Sequence, residues 1–369
     1  MNSRENIGLY GTICLICIAM INKVFYTSLA GICETGGTAA WYITLISCVT
    51  SLFFFYLFCF LLKRFPGKNI GDIAEIVFGK YVGKFINIIL VLFTLFYSAS
   101  AIREFVGMIK VYNLPNTPIS MILGTFLLLA ALISYFGLEV LIRICSLCFV
   151  PIILGILVIL VLAYPSYDIN FLKPIGGYGV KNSIVTGILR SSAYIEVATL
   201  GVYINFMHGI KNIKKAGTVS ILITGAIFSI STACYLMLFT YTVGSDNLSG
   251  LFELSRSIYY NRFFQRMESI FLFIWIISTF IFVSNGFYLT TVIYAQTFKI
   301  KNHRPLIFPF LFLCFLIAIL PKNISELLTY YVKPLRKYSM FLIFVFPGIT
   351  LLIAMILRKK GALPGAKET

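Results

Sequence analysis

The amino-acid sequence predicts an all-α integral membrane protein of about ten transmembrane helices. It further predicts two inverted five-helix repeats, with helices one and six broken. Three observations carry these expectations. Hydrophobic residues make up 59% of the 369 positions and charged residues only 12%, where a soluble domain carries about 25% charged residues. The apolar residues fall into about ten runs of near-membrane length, at about 1.5 Å per helical residue against a hydrocarbon core of about 30 Å. The first and sixth runs carry charged and amide side chains at depths where such groups normally face a protein interior or a water-filled cavity.

In order, the runs cover roughly 7–31, 40–62, 84–109, 118–136, 140–164, 184–206, 216–243, 265–296, 305–321 and 338–357. Most connections are short, and nothing reads as a soluble domain or a low-complexity tract, so residues 1–369 read as one transmembrane unit. The first run is longer than the apolar core of a signal peptide, and GICETGGTAAW leads straight into the next, which predicts an uncleaved first helix. The net charge of +17 raises nucleic acid as a partner. No basic stripe is interleaved with aromatics on a soluble module, so the reading is a lipid-embedded chain without a nucleic-acid partner.

The Lys and Arg residues sit instead between apolar runs, where the positive-inside effect places them. With the N-terminus inside, the inner segments hold Lys63, Arg64, Lys68, Lys80, Lys84, Lys211, Lys214, Lys215, Lys299, Lys301, Arg304, Arg358, Lys359 and Lys360. The outer segments hold fewer basic residues, but the last of them is the exception, with Lys322, Lys333, Arg336 and Lys337.

Span one, Ile7 to Ala30, contains Asn22 and Lys23 well away from either end. A lysine at that depth costs about 2.5–3.5 kcal/mol on insertion scales. Snorkelling of its four-carbon stem is the alternative to a polar pocket, but Asn22 beside it has no such escape. Span six carries Arg190, Ser191, Ser192 and Glu196 in GILRSSAYIEVATLGVYINF. Serine hydroxyls satisfy freed backbone groups, so the stretch from Arg190 to Glu196 predicts a helix break. Five spans precede the sixth, so spans one and six cross in opposite directions. That makes two inverted halves, about 7–164 and 184–357, whose first helices line a central site. Lys23 lies roughly 12 Å and Glu196 roughly 18 Å from the outer end of their spans, an offset that two long side chains can bridge across that site.

Four stretches resemble a known family. RFPGKNIGDIAEIVFGKYVGK (Arg64–Lys84), the Arg103-Glu104-Phe105 triplet, LPNTPI (Leu114–Ile119) and QRMESIFLFIWIISTFI (Gln265–Ile281) are similar to the spore germinant-receptor B subunits. These are permease-like proteins of the amino acid/polyamine/organocation superfamily. The resemblance runs from span one through span ten, and the loop after span two and the opening of span eight are its specific pieces. It implies a LeuT-like, inverted-repeat transporter fold with a small-molecule site between broken helices one and six. It also implies assembly with A and C partner subunits in the inner membrane of an endospore. Carried over to this chain, the first-helix break matches Ala19, Met20, Ile21, Asn22 and Lys23, with Tyr26 where the family has a proline, then Thr27 and Ser28. A family Gly-Glu pair in helix six stands here as Ile195-Glu196, and a family lysine in helix eight is replaced by Phe282.

A free amino acid presents a carboxylate and an ammonium, and broken-helix transporters meet the carboxylate with backbone N–H groups at a half-helix start. Lys23 adds to that field or stands in for a coupling cation. Ser98, Ser100, Thr279 and Ser284 are candidates to complete the wall, with close helix packing as the alternative role. The candidate substrate site therefore comprises Ala19, Met20, Ile21, Asn22, Lys23, Ser98, Ser191, Ser192, Tyr194, Glu196, Thr279 and Ser284.

The remaining chemistry-bearing residues read as structural. Arg103 with Glu104, and Arg266 with Glu268, fall near outer span ends and are expected at the interface. Asp72 and Glu75 with Ile70, Ile73, Ile76 and Val77 fit a short amphipathic helix at the inner surface. Pro151 and Pro347 are expected to kink or loosen their spans. His208 and His303 sit in inner loops beside lysines. The pairs Cys14/Cys17 and Cys145/Cys148 lack nearby histidines and read as small apolar packing, so no metal and no cofactor is expected. No nucleophile–base pair or phosphate loop appears, which sets an enzyme below a germinant sensor and below a proton-coupled amino acid permease.

Overall fold

The computed structural model describes residues 8–207, 209–262, 265 and 267–361. Ile7, His208 and Arg266 lie outside the described residues. Among the described residues seven helices are long and apolar enough to cross a bilayer: Ser28–Arg64, Lys80–Tyr112, Ile119–Phe136, Leu138–Leu162, Gly209–Leu238, Glu268–Thr297 and Ile324–Ile356. Leu9–Phe25 and Arg304–Ile319 are shorter apolar helices. Val180–Leu189 continues through 3₁₀ turns to Phe206. The first long helix holds the outer half of span one, Ser28–Gly36, and then span two, Ala40–Arg64. The chain thus makes ten passes, with the first and sixth interrupted, as the sequence predicts.

Many of the contacts between the passes are matched under a shift of five. Span one packs on span seven, and span six on span two. Span one also packs on span five, and span six on span ten. Span four packs on span eight, and span nine on span three. Spans two and seven, and spans three and eight, which the shift exchanges, pack directly on each other. Partners five passes apart run in opposite directions, so this is the pattern of two repeats related by a pseudo-two-fold axis in the membrane plane.

Short links hold the passes close. Gly137, at φ +97°, is the only residue between spans four and five, a conformation that a side chain would strain. The amphipathic surface helix runs from Ile70 to Phe78 and buries Ile73, Ala74 and Val77. Asn69 caps its start by accepting from the Asp72 N–H at 2.8 Å. Lys359, beyond the last pass, closes its other end by donating to the Ile76 and Val77 carbonyls at 2.9 and 3.0 Å. Pro151 lies within a span that remains helical on both sides of it.

Span ten departs from the sequence expectation. It begins at Ile324, so Lys333, Arg336 and Lys337 are not in an outer loop but on a helical segment, Lys333–Met340. Two π-helical stretches flank that segment, Leu328–Val332 and Phe341–Val345. Each is followed within two residues by a proline, Pro334 or Pro347. A proline removes one N–H and crowds the carbonyl four residues back, so the backbone bonds slip locally to the wider i to i−5 pattern. The segment carrying Arg336 is thereby set between two loosened joints.

The orientation has a direct check. In a cysteine-depleted background, a cysteine placed between Lys211 and Lys215 is expected to stay unlabelled by an impermeant thiol reagent outside sealed cells. Labelling there at the rate of an outer-loop control contradicts the topology.

Candidate functional site

Span one is α-helical to Ile21, turns as a 3₁₀ helix over Asn22–Phe25, and is extended at Tyr26 (φ −94°, ψ −165°) before restarting at Ser28. In lipid each backbone group freed by that break needs a partner, and the structure supplies them from distant spans. Ser249 Oγ donates to the Phe25 carbonyl at 2.8 Å. The Thr27 N–H and hydroxyl donate to Glu104 Oε1 at 3.1 and 2.6 Å. Asn22 ties the break to span eight: its Oδ1 accepts from Ser278 Oγ at 2.9 Å and Thr279 Oγ1 at 3.4 Å. Its Nδ2 donates to the Tyr26 hydroxyl at 3.3 Å, and that hydroxyl meets Thr279 Oγ1 at 3.2 Å.

Span six breaks between Arg190 and Glu196 as the sequence predicts, by tightening from an α-helix that ends at Leu189 into a 3₁₀ helix over Arg190–Gly201. Bonds that reach one residue less far leave carbonyls turned out of line. Lys23 takes two of them, donating to the Ala193 carbonyl at 2.6 Å and the Ser192 carbonyl at 3.4 Å. Its ammonium also stands 2.5 Å from Glu196 Oε2, with the side chains 15% and 5% exposed. The other oxygen of Glu196 accepts from the Tyr97 hydroxyl at 2.8 Å. Lys23 is therefore turned into the protein, not toward the headgroups. Ser51 Oγ adds a contact to the Ser191 carbonyl at 3.4 Å.

A second charged group lies on the outer side of the first. Glu104, expected at the interface, is 4% exposed, and span three continues eight residues beyond it to Tyr112. Arg336 of span ten donates to Glu104 Oε1 at 2.8 Å. Ser192 Oγ donates to the Arg336 carbonyl, so span six is bound to the same segment of span ten. Arg190 donates to the Ser28 carbonyl at 3.0 Å and the Ser28 hydroxyl at 2.9 Å. These groups surround a cavity of about 830 Å³ that reaches from Asn22 and Lys23 to the surface residues Glu34, Thr35 and Lys333. At its mouth Lys333 pairs with Glu34 at 2.9 Å, joining span ten to the outer half of span one.

Of the residues singled out from sequence, Asn22, Lys23, Ser100, Arg190 and Ser192 line this cavity, and Glu196 sits behind Lys23 and Tyr97. Thr279 reaches it through Asn22 and Tyr26. Ala19, Met20 and Ile21 are fully buried in the apolar core. Ser191 Oγ faces Met340 Sδ at 3.6 Å, and the Tyr194 hydroxyl reaches the Thr44 carbonyl at 3.5 Å. Ser98 Oγ bonds back to the Thr94 carbonyl at 2.8 Å. The Ser284 carbonyl accepts from Ser134 at 2.8 Å, remote from the cavity. Sequence reasoning passed over Tyr97, Thr27, Glu104 and Arg336 as site residues. Glu104 lies about five residues inside the apolar run 84–109, roughly 7 Å at about 1.5 Å per residue, but the helix continues to Tyr112.

The fold defines the class. A nucleobase-cation-symport-1 family transporter, Mhp1, in a closed conformation with bromovinylhydantoin bound, superposes with a TM-score of 0.66 at 11% identity, covering 96% of this chain and 90% of that one. A Na⁺-coupled sialic acid symporter in a substrate-bound outward-open state gives 0.64 at 9% identity, covering 95% and 78%. At these identities the likeness shows a LeuT-type transporter fold and says nothing of the ligand. The family is set by sequence: residues 6–327 match the spore germination protein family, and the chain belongs to it. Spore germination protein KB of Bacillus subtilis (strain 168) is 23% identical over 278 residues, 74% of each chain. Spore germination protein B2 of the same organism is 22% identical over 370 residues, covering 97% of this chain and 98% of the relative. The protein is thus a multi-pass membrane protein of the germinant-receptor B-subunit family.

The Lys23–Glu196 pair can be measured as a coupling. Lys23→Ala and Glu196→Ala each leave a buried charge without its partner, a loss of about 3–5 kcal/mol. In a double-mutant cycle of detergent unfolding, the double variant is expected to cost less than the sum by more than about 0.5 kcal/mol. Additive losses contradict the pairing.

Proposed function

We propose that this chain is the ligand-binding subunit of a spore germinant receptor in the inner membrane of an endospore. It takes a small carboxylate germinant, with free amino acids the first class to test, into the cavity between the two broken spans. It passes the resulting change to A and C partner subunits. The observation that carries this reading is the position of the cavity. It ends on both helix interruptions and is walled on one side by the span-ten segment between two π-helical joints. A ligand there touches the elements with the least regular backbone bonding, which are those best able to adopt a second arrangement. Membership of a germination family and the breadth of the family match support sensing.

A proton-coupled permease is the second reading, and one observation favours it. The ammonium of Lys23 occupies backbone carbonyls of the kind that hold coupling cations in such folds. Whether fold becomes transport is not decided by fold. The two readings separate in sealed liposomes carrying this chain alone and loaded externally with labelled amino acids and organic acids. The sensor reading expects saturable binding without sustained accumulation. Uptake that continues past one equivalent per chain and saturates with concentration overturns it in favour of the permease.

A further inference from the structure

The chain fills from its own side chains both seats that a zwitterionic ligand needs. Lys23 Nζ donates to the Ser192 carbonyl, the Ala193 carbonyl and Glu196 Oε2 at 3.4, 2.6 and 2.5 Å, which uses all three donors of an ammonium. On the other side, Glu104 Oε1 takes the Thr27 N–H at the start of the half-helix Ser28–Gly36, together with the Thr27 hydroxyl and Arg336. The helix-start seat for a carboxylate and the helix-six seat for an ammonium are therefore both held.

The charge left over is positive. Away from the exposed Glu34, Asp246, Lys333 and Lys337 that also line the cavity, Lys23, Arg190 and Arg336 meet the carboxylates of Glu104 and Glu196. Arg190 bonds to neutral oxygens of Ser28, and no carboxylate among the described residues forms an ion pair with it. Its guanidinium converges with that of Arg336 on Gly31. A Cβ placed there would lie 3.9 Å from Arg190 Nη1 and 3.7 Å from Arg336 Nη1. Glycine leaves this corner of the cavity open beside a guanidinium that lacks a counter-charge.

Resting on the germinant-binding reading above, we propose that the preferred ligand is a small monoanion bearing a carboxylate and no ammonium, a 2-hydroxy or 2-oxo acid in chemical class. Its carboxylate lies on Arg190 at Gly31, where a guanidinium fork matches it, and Lys23 keeps the helix-six carbonyls. An amino acid in that pose brings a second ammonium into a field already one charge positive, with Glu196 and the helix-six carbonyls held by Lys23. An ammonium kept from those acceptors loses hydration without full repayment.

Matched pairs test this on the full chain in lipid nanodiscs, read by ligand-dependent thermal unfolding: alanine with lactate, valine with 2-hydroxyisovalerate, and phenylalanine with phenyllactate. The cavity of about 830 Å³ admits all three sizes. In at least one pair the hydroxy acid is expected to bind about tenfold tighter than the amino acid. Arg190→Gln is expected to weaken that binding tenfold or more. Lys23→Ala empties the helix-six seat and is expected to shift preference toward the amino acid, whose ammonium then meets Glu196. Should that variant not fold, the wild-type ranking and the Arg190 variant still decide. Amino acids binding as tightly as their partners, or more tightly, in every pair overturn the inference and leave the germinant-binding reading standing. No binding by any of the six overturns that reading and the inference together.

Discussion

The ammonium of Lys23 on the carbonyls of Ser192 and Ala193 is the contact on which the rest of the structure depends. A helix interrupted within a membrane exposes backbone groups that lipid cannot satisfy, each at a cost of several kcal/mol. A buried lysine has the converse difficulty, since its charge needs acceptors that hydrocarbon lacks. Each irregularity is tolerable because the other is present. The carboxylate of Glu196 completes the arrangement, and Tyr97 holds that carboxylate from span three. Spans one, three and six are joined at one point.

A second junction repeats the logic nearer the outer face. The Thr27 N–H, freed by the break in span one, is met by Glu104 of span three, and Glu104 is met by Arg336 of span ten. Arg336 sits between two π-helical stretches set by Pro334 and Pro347. The inner junction is thus tied through Tyr97 to the regular helix of span three, and the outer one through Arg336 to a loosened segment of span ten. A ligand arriving between them has one fixed wall and one that has room to move, which suits a receptor whose output is a change of arrangement.

Much of the fold was legible in the sequence. Composition set the membrane class, ten apolar runs set the passes, and the polarity of runs one and six marked where they break. The symmetry followed from counting five passes before the second of the two odd helices. What the sequence hid had definite physical causes. Lys333, Arg336 and Lys337 looked like a basic loop because hydropathy averages over a window, and it cannot see that Arg336 alone turns inward from a continuous helix while Lys333 and Lys337 stay exposed. Glu104 looked interfacial because the apolar run ended before the helix did. Ala19, Met20 and Ile21 are adjacent in sequence to the break, but the cavity wall starts at the turn, with Asn22, Lys23, Tyr26 and Thr27. Serines were the weakest guide, since Ser98 bonds back to its own helix, as small hydroxyls in apolar spans commonly do.

The relation of this chain to its structural neighbours is one of shared scaffold with altered charge. Where a transporter of this fold leaves helix-break seats for a ligand or ion, this protein has placed Lys23 and Glu104 in them. The central claim is that Lys23 is held inside by Glu196 and the helix-six carbonyls. It is tested most directly by the rate at which a small neutral amine reagent, such as acetic anhydride, modifies Lys23 relative to exposed Lys333. The structure predicts that Lys23 is modified far more slowly than Lys333 in the native chain, and that Glu196→Ala raises its rate toward that of Lys333. A Lys23 that reacts as fast as Lys333 in the native chain, with no change in the variant, contradicts the account and returns the residue to the headgroups.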